Sequence, residues 1–381
     1  MIFDFQPTYI LQDLIETFYQ GGHHVAIKKD ILCQACYEQE EAQNRLEKEI
    51  ALQMCELVFT VNYYPVLARA CFQKNIPYIS WQYDSPPNLP TEETLEFPTN
   101  RVFFFSRYDA EYYSQLGLEH MYYLPLATNT HRFRAARADL SRYGADISLT
   151  GNLYSSVLPE LTAIMTPEQK QRIDEAVRAQ LTTQGCRVIE EVITDEFVKQ
   201  ICEHFISLSK TAIQPGKREL FYACCSHVTH LERIMLLRLS SKIARTALYS
   251  SALLQDERQL LQGVDYRGTV DYLTQMPAVF KSSKINLNPT LRANRTAIPL
   301  RALDIMACHA FMITSAQEEF DAYFNRGKEY VCYETLEEAV ELIRYYLQHD
   351  SERATITKAA YEKVCRMFTY PDRVERMLQS I

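Results

Sequence analysis

Strand and helix patterns alternate along the first 135 residues or so of this 381-residue chain, and no other feature constrains its fold as strongly. A short apolar run, MIFDF, precedes the amphipathic segment YILQDLIETFYQGG, which ends in two glycines. Later runs also have strand composition, with helical periodicity between them: ELVFTVN, IPYISWQYD, RVFFFS and HMYYLPLA. Strands that alternate with helices predict an α/β fold with a parallel, doubly wound sheet.

The alternation restarts at ADISLTGNLY (145–154) and resumes after a stretch, about 157–244, that is mostly helical. A chain of this length exceeds one ordinary core. We therefore predict two Rossmann-like, doubly wound domains that face each other across a cleft. They are expected to cover 1–140 and 141–367, with the helical stretch inserted in the second.

Composition excludes several classes of partner. The net charge is −8 and no basic block is present, which argues against a nucleic-acid polymer. No run approaches the roughly 18 uncharged apolar residues of a membrane span. The start lacks the features of a secretory signal peptide, so a cytoplasmic protein is expected.

The eleven cysteines are scattered and odd in number. Two close pairs, Cys33 with Cys36 and Cys224 with Cys225, lack a matching second pair. A zinc site needs about four convergent ligands. We therefore predict free thiols in a reducing cytosol and no metal site.

Ligands of doubly wound sheets bind at the carboxyl ends of the strands, so residues that follow strands are the candidates. In the first half these are Asn62, Tyr63 and Tyr64 after one strand, and Asp84 and Ser85 after the next. Asp84 has the chemistry of a general base or of a ligand for acceptor hydroxyls. Alternatively, it forms an Asx turn with its own backbone, and Asn62 caps the following helix.

Two further strand ends in the second half carry candidates. Gly151 permits a ligand to approach the backbone closely, and Asn152 follows it. An ordinary strand-exit turn explains these two residues equally well. The other strand end holds Arg267, Gly268 and Thr269.

The segment 286–304 has the composition of a socket for a nucleoside diphosphate. A helix that starts near Pro299 presents free N–H groups that attract phosphate. Arg292, Arg295 and Arg301 offer forked hydrogen bonds to a diphosphate, and Asp304 is placed to accept hydrogen bonds from ribose hydroxyls. Alternatively, Arg301 and Asp304 form a surface ion pair on a core helix.

Two familiar phosphate-binding motifs are absent from the sequence. No GxGxxG follows a strand, and GxxxxGK[ST] does not occur. Their absence disfavours a dinucleotide-dependent oxidoreductase and a P-loop enzyme.

Several strings together resemble bacterial glycosyltransferases of the spore-maturation, CgeB-like type. The N-terminal strings are LVFTVNYYPVLARAC, IPYISWQYDSP, VFFFSRYDAEYYSQLG, MYYLPLATNTHRF and ADISLTGNLYS. The strings KINLNPTLRANRTAIPLRALDIMACHAFMITS and EEFDAYFNRGKEYVCYETLEEAVELIRYYL resemble a C-terminal family-one glycosyltransferase domain.

The resemblance implies a GT-B fold that holds a nucleotide-sugar donor mainly on its second domain. Asp304 would hold the donor ribose, and the arginines of 292–301, with the helix start, would hold the diphosphate. The turn TGN would face the donor, and VDYRGTV would cradle the nucleobase through its backbone. No cofactor or metal is required, because positive protein groups stabilise the leaving diphosphate. The last helix, 368–381, would cross back to the first domain.

Many retaining relatives carry two glutamates separated by seven residues, and this chain departs from that pattern. Asp304 occupies the later position and Thr296 the earlier. The function predicted is transfer of a sugar from a nucleoside-diphosphate sugar, with UDP preferred, to a protein or glycan acceptor. A catalytically silent protein of the same fold and a nucleotide-sugar epimerase are the alternatives.

Overall fold

The computed structural model describes residues 1–6, 8–29, 40–87, 89, 93–211 and 214–381. These residues form two compact units. Unit 1 comprises Met1–Thr130, Thr296–Leu303 and Lys363–Ile381, and unit 2 comprises His131–Arg295 and Asp304–Glu362. Cys33 and Cys36, the first cysteine pair, lie outside the described residues.

Unit 1 is built on a six-stranded parallel sheet with the order β2-β1-β3-β4-β5-β6. Its strands are β1 (Ile2–Asp4), β2 (Ile27–Lys29), β3 (Val58–Val61), β4 (Tyr78–Trp81), β5 (Asn100–Phe104) and β6 (Met121–Tyr123). Its helices between strands are α1 (Leu11–Gln20), α2 (Glu40–Leu52), α3 (Pro65–Lys74) and α4 (Arg107–Gln115). The inner strands β3 and β4 are buried along their whole length, as expected where helices cover both faces of a parallel sheet.

Two short helices, α5 (Thr130–Ala135) and α6 (Leu140–Tyr143), lead to the sheet of unit 2, which has the order β12-β11-β10-β7-β8-β9 and is also parallel. Its strands are β7 (Ala145–Thr150), β8 (Thr246–Tyr249), β9 (Asp265–Tyr266), β10 (Ser283–Asn288), β11 (Met312–Ser315) and β12 (Val331–Tyr333). Counted from β7, this is the Rossmann order 3-2-1-4-5-6 read from the other edge. The prediction of two doubly wound, parallel sheets is confirmed.

Five helices between β7 and β8 form the helical insert. They are α7 (Leu158–Ala163), α8 (Pro167–Leu181), α9 (Arg187–Val192), α10 (Asp195–Leu208) and α11 (Lys217–Ser241). A capping box starts α8, since Thr166 accepts from the backbone of Gln169 while Gln169 accepts from the backbone of Thr166. The apolar faces of the five helices pack into a hydrophobic cluster that also includes Ala293, from the loop after β10.

The remaining helices connect or follow the later strands. They are α12 (Gln255–Leu260), α13 (Met276–Lys281), α14 (Leu300–Ala307), α15 (Glu318–Tyr323), α16 (Leu336–Gln348), α17 (Asp350–Met367) and α18 (Tyr370–Leu378). Helix α18 belongs to unit 1 and packs on α1. The buried Arg373 of α18 donates from Nε to the carbonyl oxygen of Pro125 at 2.6 Å.

The nine cysteines in the described ranges are all unbridged. Burial raises the pKa of Cys224 to about 12, so this thiol keeps its proton. Within the same ranges, no group of three or more His, Cys, Asp or Glu side chains is arranged to hold a metal ion. None of the helices that the structure describes is both long enough and apolar enough to cross a membrane.

Candidate functional site

The sheet of unit 2 changes direction between β7 and β10, which pair with each other in the middle of the sheet. From β7 the chain goes on to β8 on one side, and from β10 it goes on to β11 on the other. In open α/β sheets the loops after two such strands diverge at the carboxyl edge, and ligands bind in the crevice between them. The predicted residues Gly151 and Asn152 follow β7, and the arginine loop 289–295 follows β10.

Gly151 turns the chain sharply at the end of β7. Its φ is +142°, a conformation that residues with a Cβ rarely adopt. Its N–H donates to the carbonyl oxygen of Tyr249 at 2.9 Å, and an added Cβ would lie 3.4 Å from Nη1 of Arg233. Asn152 is exposed directly after this turn.

Helix α11 holds the loop that follows Gly151. Arg233 donates to the carbonyl oxygen of Asn152. One turn earlier, His230 donates from Nδ1 to the carbonyl oxygen of Leu153 at 3.0 Å. The loop is thus held through its backbone, which leaves the side chain of Asn152 accessible.

Arg292 is only 2% exposed and lies in a buried polar network. Its Nε donates to Glu232 at 3.0 Å, and its Nη1 donates to Gln184 at 2.7 Å and to the carbonyl oxygen of Thr183 at 2.9 Å. Tyr333 donates to the other carboxylate oxygen of Glu232 at 2.9 Å. Burial, followed by the charge of Glu232, raises the pKa of Tyr333, so its hydroxyl remains a donor.

These contacts favour a role for Arg292 in holding the loop. The sequence predicts that the positive charge of Arg292 faces a diphosphate. In the structure this charge is paired with Glu232, which is itself 1% exposed. Direct contact of Arg292 with phosphate stays a prediction.

Arg295 is held by the helical insert. Its Nε donates to Glu190 of α9 at 2.5 Å, and its guanidinium carbon lies 5.1 Å from the centre of the Phe221 ring. Part of its side chain, 19%, remains exposed. Its predicted contact with a diphosphate is therefore compatible with the position of the group, and it too stays a prediction.

The segment after β9 begins with Arg267, whose side chain contacts neighbouring strand ends. Arg267 donates from Nε to Asp265 at 2.8 Å and from Nη1 to the hydroxyl of Tyr249 at 2.7 Å. Its guanidinium thus braces the strand ends. Gly268, with φ +71°, and the exposed Thr269 follow. This arrangement is compatible with a segment that meets a ligand through its backbone.

Helix α14 begins at Leu300, directly after Pro299, as the sequence predicts. Asp304 lies in its second turn and is 0% exposed, and Arg301 is half-buried. After burial itself, the nearby charge of Asp304 is the largest cause of the raised pKa of Cys308. Contact between Asp304 and a ribose would require the covering side chains to move, and it stays a prediction.

In unit 1, polar residues gather at the carboxyl ends of β3 and β4. Asn62, with φ +63°, donates from Nδ2 to Asp84 at 3.0 Å and accepts from the backbone N–H of Tyr83 at 2.7 Å. Asn62 thus joins two strand ends. It does not cap α3, whose N-cap is Tyr64. Asp84 is exposed, with one oxygen oriented by Asn62.

A second polar group follows β5 in the same unit. Ser85 donates to the buried Asp109 at 2.6 Å, and Ser106 caps α4 by accepting from the backbone N–H of Asp109 at 3.3 Å. The hydroxyls of Ser106 and Thr296 lie 3.4 Å apart. Thr296 therefore lies beside the start of α4.

Tyr63 and Tyr64 lie in the hydrophobic core of unit 1. Tyr63 donates to Thr94 at 3.0 Å, and burial raises its pKa. The ring of Tyr64 packs edge-on against Phe5, with 4.7 Å between centroids. This burial does not favour contact of either ring with a ligand, and the predicted ligand contact of these two residues stays a prediction.

Sequence reasoning did not identify Glu232, Arg233 or Tyr333. An adjacent acid and base in HVTHLERIMLLRL, directly before the apolar run IMLL, was the available signal. Charged residues are almost never fully buried unless they are paired, so this pair pointed to partners elsewhere in the chain.

Residues 232–379 match the sequence model of a family described as glycosyl transferase-like. The match includes the segment after β9, the arginine loop and α14. It begins at Glu232, the partner of Arg292. No curated protein sequence matches the chain.

Solved structures match the whole chain at low sequence identity. HepE from Anabaena in complex with UDP has a TM-score of 0.59 and 11% identity over 100% of this chain and 99% of that one. HepE has also been solved with UDP-glucose. A glycosyltransferase from Rickettsia africae gives a TM-score of 0.59 and 11% identity, over 99% of this chain and 97% of that one.

Sucrose-phosphate synthase from Thermosynechococcus elongatus has a TM-score of 0.57 and 11% identity, over 97% of this chain and 91% of that one. At these identities the likeness shows the fold, which is the GT-B fold that the sequence predicts. Together with the similarity of residues 232–379 to the glycosyl transferase-like family, it supports a transferase enzyme.

Proposed function

We propose that the protein transfers a sugar from a nucleoside-diphosphate sugar, with UDP the preferred nucleotide, to a protein or glycan acceptor. We further propose that the transfer needs no bound metal ion and that the protein works in the cytoplasm. The sequence segments that resemble known glycosyltransferases favour the CgeB-like, spore-maturation subtype.

The observation that carries the donor assignment is the change of direction of the sheet between β7 and β10. The two loops that follow these strands are those that the sequence selects for a nucleotide sugar, and both are anchored by α11 through hydrogen bonds. A preorganised pair of loops binds a ligand without a large cost of ordering. That HepE has been solved with UDP and with UDP-glucose supports the choice of nucleotide.

On the donor side, we assign roles by chemistry. Gly151 allows the diphosphate to approach the backbone, and the segment Gly268–Thr269 offers backbone groups to the base. Asp304 accepts hydrogen bonds from the ribose hydroxyls once it is uncovered. Arg295 and the start of α14 face the negative charge that grows on the leaving diphosphate, and stabilising such charge supplies a large part of catalysis.

On the acceptor side, we assign Asp84 the role of general base. The bond between the anomeric carbon and the β-phosphate oxygen breaks, and a bond to the acceptor hydroxyl oxygen forms. The hydroxyl proton passes to the Asp84 carboxylate, and the nucleoside diphosphate leaves with the bonding electrons. Asn62, which donates to one oxygen of Asp84, orients the carboxylate.

Nucleotide binding is the first test. We expect UDP to raise the melting temperature of the wild-type protein more than GDP or ADP does, because a ligand that binds only the folded state stabilises it. Asp304→Asn keeps the shape of the side chain and removes its charge. We expect it to weaken UDP binding by about tenfold or more, since hydrogen bonds to a charged group are the strong ones.

Asp256→Asn, an exposed acid of α12, is the matched control and should bind UDP as the wild type does. If no nucleoside diphosphate shifts the melting temperature, the proposed function is wrong. Hydrolysis or transfer from UDP-glucose would exclude the catalytically silent alternative. Conversion to another UDP-sugar without an acceptor, visible by NMR, would identify an epimerase.

A further inference from the structure

Arg233 is a cation in the middle of α11, and only 8% of it is exposed. We propose that Arg233 is a positioning residue that fixes the two loops beside the crevice between β7 and β10. That these loops hold a nucleotide sugar rests on the proposed function. The proposal that Arg233 fixes the loops does not depend on it.

The guanidinium of Arg233 bridges the two loops directly. Its Nη1 donates to the carbonyl oxygen of Asn152, after β7, and its Nη2 donates to the carbonyl oxygen of Pro289, after β10. These loops are more than 130 residues apart in the chain, and this planar group contacts both. A lysine carries the same charge as a point and lacks the rigid fork that fits two acceptors at once.

The loop after β7 also wraps around the guanidinium. The ring of Tyr154 lies 4.8 Å from its carbon, at a distance typical of a cation–π contact. Tyr154 has φ +57°, and Gly151 has φ +142°, so two unusual backbone conformations shape this short loop around Arg233. A bulkier residue at 151 would approach Nη1 itself.

The neighbouring residue Glu232 has a different task, because adjacent residues point about 100° apart on a helix. Glu232 pairs with Arg292, and Thr229, one turn earlier, accepts from the backbone N–H of Arg292 at 2.9 Å. Helix α11 therefore contacts the loop after β10 through several residues. The side chain of Arg233 contacts the loop after β7 as well as the loop after β10.

The test compares Arg233→Lys and Arg233→Met with Arg238→Met. Arg238 lies on the same helix and is exposed, so its replacement controls for loss of an arginine from α11. Hydrogen exchange of the amides in 150–156 and 289–295 is measured without ligand. UDP affinity is then measured by calorimetry on protein that circular dichroism shows to be folded.

We expect Arg233→Lys, which keeps the stem and the charge, to lose protection in both loops and to bind UDP about tenfold or more weakly. Arg238→Met should match the wild type in both measurements. In UDP-glucose hydrolysis we expect a lower kcat for Arg233→Lys as well as a higher KM, because displaced loops misalign the bound donor.

Unchanged exchange in both loops of Arg233→Lys would overturn the proposal, whether or not the protein binds UDP. If Arg233 served only overall stability, its replacement would lower the melting temperature while the folded fraction bound UDP with wild-type affinity. That result would also overturn the proposal. If Arg233→Met does not fold, the hydrogen exchange and UDP affinity of Arg233→Lys still test the proposal. A wild type that fails to bind UDP refutes the proposed function and leaves the exchange result to decide on Arg233.

Discussion

At the end of β7, the backbone of Gly151 takes a conformation that is costly for any residue with a Cβ. A side chain there would add a contact with Nη1 of Arg233 at 3.4 Å. The turn therefore depends on glycine for backbone reasons first and for space second. Its position beside the crevice makes it a sensitive probe of that edge.

Gly151→Ala should lower the free energy of unfolding by about 1–3 kcal/mol, the usual cost of such strain. Because the turn positions Asn152, we also expect weaker UDP binding. Urea denaturation and calorimetry measure the two effects.

Gly21→Ala is the matched control. Gly21 ends α1 with φ −73°, which alanine adopts readily, so its replacement should change stability by less than about 0.5 kcal/mol. Equal effects at both glycines would contradict the argument from backbone conformation.

Single residues also show what the sequence could not predict. Spacing in the sequence places Arg292 and Arg295 near a helix start, where phosphate binds. That inference needs only residues that are close together in the chain. Their partners Glu232 and Glu190 lie 60 and 105 residues away. No sequence periodicity indicates such distant pairs, so the burial and pairing of Arg292 can be seen only in the folded structure.

Among the elements, the helical insert acts as a brace for the arginine loop. Thr183 and Gln184 follow α8 and accept from Arg292, while Glu190 of α9 accepts from Arg295. Ala293, between the two arginines, packs into the hydrophobic cluster of the insert. Within the insert, the turn after α8 and helix α9 thereby hold the two arginine side chains, and α11 also holds the loop through Thr229 and Glu232.

Arg292→Met should lower the free energy of unfolding by about 3–5 kcal/mol, because it leaves the buried Glu232 without its charged partner. The double variant Arg292→Met, Glu232→Gln should recover about 0.5–3 kcal/mol of this loss. Chemical denaturation of the two single variants and the double variant gives the coupling.

Arg326→Met serves as the control, because its ion pairs with Asp321 and Glu334 are exposed. Its effect should stay within about 1 kcal/mol. Additive effects of Arg292→Met and Glu232→Gln would show that the buried pair carries no coupling energy.

The elements themselves could largely be predicted. Long apolar runs and 3.6-residue periodicity identify the inner strands and the long helices, because burial imposes those patterns. The exceptions are short. The strand β12, three residues long, and the six-residue helices α12, α13 and α15 contain too few residues for a period to be visible.

At the scale of the whole molecule, each unit draws on segments far apart in the chain. Unit 1 takes in 296–303 and 363–381 besides its first 130 residues. Helix α18 binds into it through Arg373 and through apolar residues of its buried face, such as Val374 and Met377. No local pattern records where a distant segment packs, so the return of the last helix is implied by the family resemblance and not by any periodicity.

Arg373→Met tests how much this return stabilises unit 1. Loss of the donor to the carbonyl of Pro125 should cost about 1–3 kcal/mol, because that carbonyl stays buried. Arg376→Met, on the exposed side of the same helix, should cost less than about 1 kcal/mol. Thermal and urea unfolding compare the two, and equal losses would contradict an anchoring role for Arg373.

The discontinuity of unit 1 has a consequence for synthesis. Met1–Thr130 leaves the ribosome before unit 2, yet the segments 296–303 and 363–381 of the same unit emerge only later. Unit 2 ends at Glu362, so it has all its residues earlier although it starts later. Nascent chains arrested at successive lengths should therefore acquire protease resistance in unit 2 before unit 1, the reverse of the usual vectorial order.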